Sequence, residues 1–125
     1  MENIYNYLKT VSCFKKVELT VCNTIIINTG CYYSDKKEVI LFINYLDNNF
    51  ILTDNGRTRQ FMDKIYELKE PGVKSPIVHV TEYYGISTNN QELSVKIRNT
   101  EEFIQAYLKM IYCISFLDSM RIFFV

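Results

Sequence analysis

The stretch Phe50–Ile65, FILTDNGRTRQFMDKI, decides the fold. A short apolar strand runs into Thr53-Asp54-Asn55-Gly56, and a charged helix follows at once. Asp54 or Thr58 can cap that helix, whose buried face would carry Phe61, Ile65 and Leu68. The Asp54 carboxylate has two readings. It can be a metal-binding or acid–base group at a strand end, where sites often sit. It can also be an Asx turn and helix cap, with Gly56 supplying a positive φ. The residue types favour the cap. Arg57 and Arg59 stand at a helix start whose free N–H groups favour anions, so they are candidates to grip a phosphate or an acidic partner surface. Solvated charge, balanced by Asp54 and Asp63, is the plainer reading of the two arginines.

Working outward, Met1 to about Phe14 reads as a helix with Ile4, Leu8 and Val11 on one face. Val21–Asn28 is strongly β-prone, and Gly30 closes it. Cys31–Lys37 reads as a loop turning at Ser34-Asp35. Val39–Tyr45 is a continuous apolar run, the pattern of a strand buried on both faces. After a turn at Leu46–Asn49, Phe50–Thr53 returns, which makes a three-stranded antiparallel meander. Beyond the Phe50–Ile65 stretch, Glu70-Pro71-Gly72 ends the helix, and Ser75 with Pro76 opens another that stops at Gly85. Leu93, Val95 and Ile97 alternate with polar residues as one further strand. Asn99 or Thr100 then caps a last helix with Phe103, Ile104, Tyr107, Leu108, Ile111, Ile114 and Leu117 on its apolar stripe. The expected order is α-β-β-β-α-α-β-α, a single α+β domain over 1–125.

Composition narrows the function classes. The 125 residues are 48% hydrophobic and carry zero formal net charge, a balance that argues against disorder and against sequence-independent nucleic-acid binding. Ile, Asn, Lys, Tyr and Phe abound while Ala106 is the only alanine, the imprint of an AT-rich genome. The start predicts no signal peptide, and no apolar run reaches the roughly 18 residues of a membrane span. Cys13, Cys22, Cys31 and Cys113 fit no zinc spacing and are expected as free buried thiols in a cytosolic protein. No cofactor or metal is expected.

Leu52-Thr53-Asp54 followed by Gly56 and Thr58 resembles the signature of an uncharacterised domain family of phages, prophages and bacterial mobile elements. Tyr84-Gly85-Ile86, Glu92-Leu93-Ser94-Val95 and Ile114-Ser115-Phe116-Leu117 match its further motifs in order. The resemblance spans roughly residues 14–120. It implies a phage or mobile-element setting and carries no catalytic residues.

The order of elements also matches the core of restriction-endonuclease-like nucleases. Those enzymes hold a metal with acidic groups and an acidic-x-Lys triplet. Asp35 and Glu38 stand acceptably, but Phe50–Asp54 has no such triplet, which leaves at most a degenerate relative. His79, the only histidine, has no readable triad or zinc partners. The pairs Tyr32-Tyr33 and Tyr83-Tyr84 suit protein recognition or a core edge. The apolar tail Ile122, Phe123, Phe124 and Val125 must pack on the domain or on another subunit, so a homodimer through the last helix and tail is expected. The sequence therefore predicts a non-catalytic accessory protein that binds a bacterial or phage protein, as an anti-defence inhibitor or a regulator. The alternative is a nucleic-acid-binding module using Asp54, Arg57 and Arg59.

Overall fold

Alternating charge and apolarity in Lys16-Val17-Glu18-Leu19 begins a meander one strand earlier than the pattern of isoleucines suggests. In the computed structural model, which describes residues 1–11, 13–66, 71–88 and 92–120, the elements are α1 Glu2–Lys9, β1 Lys16–Leu19, β2 Ile25–Tyr32, β3 Glu38–Leu46, β4 Asn49–Thr53, α2 Arg57–Tyr66, α3 Pro71–Tyr84, β5 Ser94–Ile97 and α4 Thr100–Ser119. The α+β class and the succession of expected elements are observed, with β1 inserted between α1 and β2. The sheet is wholly antiparallel in the order β1-β2-β3-β4-β5.

Turn chemistry sets the registers. Val21, expected to open a strand, instead lies in the β1–β2 loop and is fully exposed. Asn23 takes φ +61° there, and Thr20 N–H donates to Thr24 O at 2.9 Å to close the hairpin. Asp47 and Asn48 both take positive φ, 51° and 62°, between paired Leu46 and Asn49. Two such residues in a row match the right-handed twist of the flanking strands.

One face of the sheet is the core. Ile25, Ile27, Leu41, Ile43, Leu52 and Ile97 are buried in one cluster with Ile4 and Leu8 of α1, Phe61 and Met62 of α2, and Phe103, Met110 and Leu117 of α4. The opposite face carries the row Ile26–Phe42–Thr53–Ser94 across four strands. This corrects the reading of Val39–Tyr45 as buried on both faces. Val39, Leu41 and Ile43 are buried, while Ile40, Phe42 and Asn44 between them are only half covered, because the helices pack on the other side.

Helix boundaries shift for local reasons. α1 ends at Lys9, and Phe14 sits edge-on to Tyr107 at 4.8 Å and to Phe103 at 6.0 Å. α3 starts at Pro71 rather than at Ser75-Pro76, since the earlier proline already supplies the preorganised first position. It ends as expected at Gly85 (φ +71°), where Gly85 N–H reaches Glu82 O at 3.0 Å and Ile86 N–H reaches Thr81 O at 2.9 Å. Asn99 caps α4, accepting from Glu102 N–H at 3.0 Å. The expected burial of Leu68 and of the Ile65 side chain lies outside the described residues. Of the four free thiols only Cys113 is buried; Cys13 and Cys22 stand exposed in the segments flanking β1, which corrects the expectation of buried cysteines.

Candidate functional site

Asp54 is the residue on which the opening stretch turns, and it is completely buried. Its Oδ1 accepts Gly56 N–H at 2.9 Å and Leu93 N–H at 3.0 Å, and its Oδ2 accepts Thr58 N–H at 3.1 Å. Asn55 and Gly56 both adopt positive φ, 54° and 79°, which bends the chain tightly enough for α2 to begin beside the carboxylate. One side chain thus ends β4, closes the first turn of α2 and fixes the segment entering β5. The Thr58 hydroxyl, 2.8 Å from the Tyr33 hydroxyl, extends the knot to the β2–β3 loop, and the Tyr33 ring stacks on Phe61 at 4.7 Å. Leu52, Thr53, Asp54, Gly56 and Thr58 each have a distinct structural task here: core, Asx-like acceptor for Asn55 N–H, triple acceptor, left-handed turn and second hydroxyl.

The first N–H groups of α2 are therefore engaged by Asp54, so the anion at this helix start is the protein's own carboxylate. The two arginines diverge. Arg59 pairs with Asp63 at 3.3 Å, one helical turn on. Arg57 lies exposed with its guanidinium 5.4 Å from the Phe42 ring centre. Positions two apart on a helix face different sides, so the two do not converge on one ligand. A cavity of about 430 Å³ at this corner is lined by Tyr33, Asp35, Lys37, Glu38, Phe42 and Arg57 among others. It brings together two of the expected binding residues, Tyr33 and Arg57, with mixed charge. Tyr33 itself is buried, whereas Tyr32 is exposed and accepts from Lys15 Nζ at 3.4 Å. Tyr32 closes β2 and Tyr33 opens the loop after it, which separates the pair.

The acidic groups considered for metal chemistry are spent locally. Glu38 accepts Asn28 Nδ2–H at 2.9 Å and Gly30 N–H at 3.1 Å, and Asp35 accepts Lys37 N–H at 3.0 Å. Among the described residues no three His, Cys, Asp or Glu side chains gather as a metal site would need. Burial, with the Asp54 charge adding to it and the Thr58 hydrogen bond opposing it, pushes the Tyr33 phenol up to about 12. Because the folded state holds this proton more tightly than the unfolded chain, the stabilisation is whole below about pH 10. It is lost as pH rises towards about 12. Tyr33→Phe is expected to blunt this alkaline loss in thermal melts taken across that window, and an unchanged profile would refute the assignment.

A different surface was legible in the sequence only through the pair Tyr83-Tyr84, and its α4 side was missed. Leu108, placed on the buried stripe of α4, is 40% exposed, and Tyr112 and Phe116 are 56% and 48% exposed. Four-residue spacing sets all three on one line along the helix. On α3, Val78 and Tyr83 are also exposed, the latter by 84%. A groove of about 370 Å³ between these helices is lined by His79, Val80, Tyr83, Tyr84 and Phe116. Helix α4 is apolar nearly all round, the signal that could have revealed an uncovered face. The tail Ile122–Val125, expected as a dimer surface, lies outside the described residues.

The family model that matches this chain is Domain of unknown function DUF1828, over residues 29–116. The chain belongs to this family. The match to DUF1828 begins in β2 and ends near the close of α4, so it contains the Asp54 knot, the Arg57 cavity and the α3–α4 groove. No curated protein and no solved structure matches significantly. Among the described residues no helix is long and apolar enough to cross a membrane.

Proposed function

We propose that this DUF1828 protein is a non-catalytic accessory factor of a phage or mobile element that binds a bacterial or phage protein. It acts as an anti-defence inhibitor or as a regulator of the element. The observation that carries the reading is the exposed line Leu108–Tyr112–Phe116, whose Phe116 lines a groove between α3 and α4 together with Tyr83. Aromatic anchors supply much of the energy of protein recognition, and an apolar groove between helices suits the apolar face of a partner helix. The carboxylate of Asp54 is enclosed, with both oxygens engaged by backbone N–H groups.

The test is photo-crosslinking in bacterial cells from a reactive residue placed at Leu108. One dominant protein adduct is expected, lost in Tyr112→Lys/Phe116→Glu and kept in Arg57→Ala. The fold of each variant is checked by circular dichroism. The opposite pattern would give the function to the nucleic-acid reading: no protein adduct, and salt-dependent retention on DNA or RNA that Arg57→Ala abolishes.

A further inference from the structure

The sheet has two edges, and they are treated differently. At β5, Ser87 and Ser94 exchange both N–H···O bonds at 2.9 Å, and the Glu102 carboxylate accepts Arg98 N–H at 3.1 Å, so that edge is largely closed. At β1, the Thr20 to Thr24 bond sets the alternation of the ladder. Lys16 and Glu18 then bond towards β2, and the N–H and C=O of Val17 and Leu19 point out of the sheet. No hydrogen bond among the described residues engages these four groups. An open strand edge is a template for another strand.

The side chains name the strand that fits. Lys16 and Glu18 share the outer face of β1, both exposed and 3.9 Å apart. We propose that β1 receives β1 of a second copy of this chain, antiparallel about a two-fold axis through paired Val17 residues. In that register Lys16 of each copy lies opposite Glu18 of the other, two reciprocal cross-strand ion pairs. Centring instead on Glu18 would place like charges face to face, which cross-strand energetics disfavour. The same pattern rejects strands that lack it, since an unmatched lysine on an edge repels foreign pairing. The sheets of two subunits become continuous, and β1 shares no residue with the α3–α4 groove assigned above to the partner. This inference does not depend on that reading.

The test is sedimentation equilibrium of the full chain at low salt, from micromolar to near-millimolar concentration. The wild type is expected to dimerise. Glu18→Lys, which faces lysine with lysine, should weaken the dimer roughly tenfold. Lys16→Glu/Glu18→Lys, which restores the pattern with signs exchanged, should return it to within about twofold of the wild type. Amide hydrogen exchange gives a second readout: Val17 and Leu19 should gain protection as concentration rises. A strict monomer, a dimer indifferent to Glu18→Lys or a double variant that fails to recover would each overturn the proposal. So would a dimer broken by Tyr112→Lys/Phe116→Glu and unaffected at β1, which would move self-association to α4.

Discussion

Asp54→Ala is expected to destabilise the domain by about 4 kcal/mol, because at least two buried donors lose their acceptor at about 1–3 kcal/mol each and the knot also loses its turn. The donors are Thr58 N–H and Leu93 N–H, both buried; Gly56 N–H, only partly buried, can find water. Against a total stability of about 5–15 kcal/mol this is a large share. Asp54→Asn is expected to cost less, about 1–3 kcal/mol. Its amide oxygen can still serve Gly56 and Leu93, but its NH2 group would then face the Thr58 donor. Urea denaturation measures both changes, and hydrogen exchange should show the Leu93 amide losing protection out of proportion to its neighbours. The sign of the change is as informative as its size. Residues held for catalysis commonly cost stability, so their removal tends to stabilise. A gain on Asp54→Ala would return this carboxylate to the list of functional groups, and a loss below about 1 kcal/mol would show that the knot does not hold the junction.

The contrast between what sequence reveals and what it hides follows the reach of each interaction. The Asp54 cap and the Gly56 turn are legible because donor, acceptor and left-handed residue lie within four positions of one another. The bond from Leu93 to the same carboxylate spans 39 positions and leaves no local trace. Strand β1 was hidden because four residues give too short a run for alternation to stand out, and its definition comes from pairing with Ile25–Asn28. The run Val39–Tyr45 misled in the other direction. Apolar residues on both faces do not require cover on both faces, and Ile40 and Phe42 remain half covered with no described helix over them. Tyr32 and Tyr33 look equivalent in sequence, yet one is exposed and the other locks Thr58.

The same ambiguity on α4 leads to the second large effect. Phe103 and Phe116 are the same residue type on one helix, but Phe103 is fully buried against Phe14 and Tyr107, while Phe116 is about half exposed. Phe103→Ala is expected to cost about 3–5 kcal/mol, the transfer of a large ring plus the cavity it leaves. The loss should be accompanied by loosening of the segment around Phe14, which anchors the approach to β1. Phe116→Ala should change stability by no more than about 0.5 kcal/mol, since little of its packing is with the core. If Phe116→Ala costs this little, Phe116, Tyr112 and Leu108 bring no stability return on the surface, as the recognition role proposed above requires. Paired denaturation curves for the two alanine variants decide the matter. If Phe116→Ala proves as costly as Phe103→Ala, the outer face of α4 is covered within the folded chain, and the recognition surface has to be sought at the Arg57 corner instead.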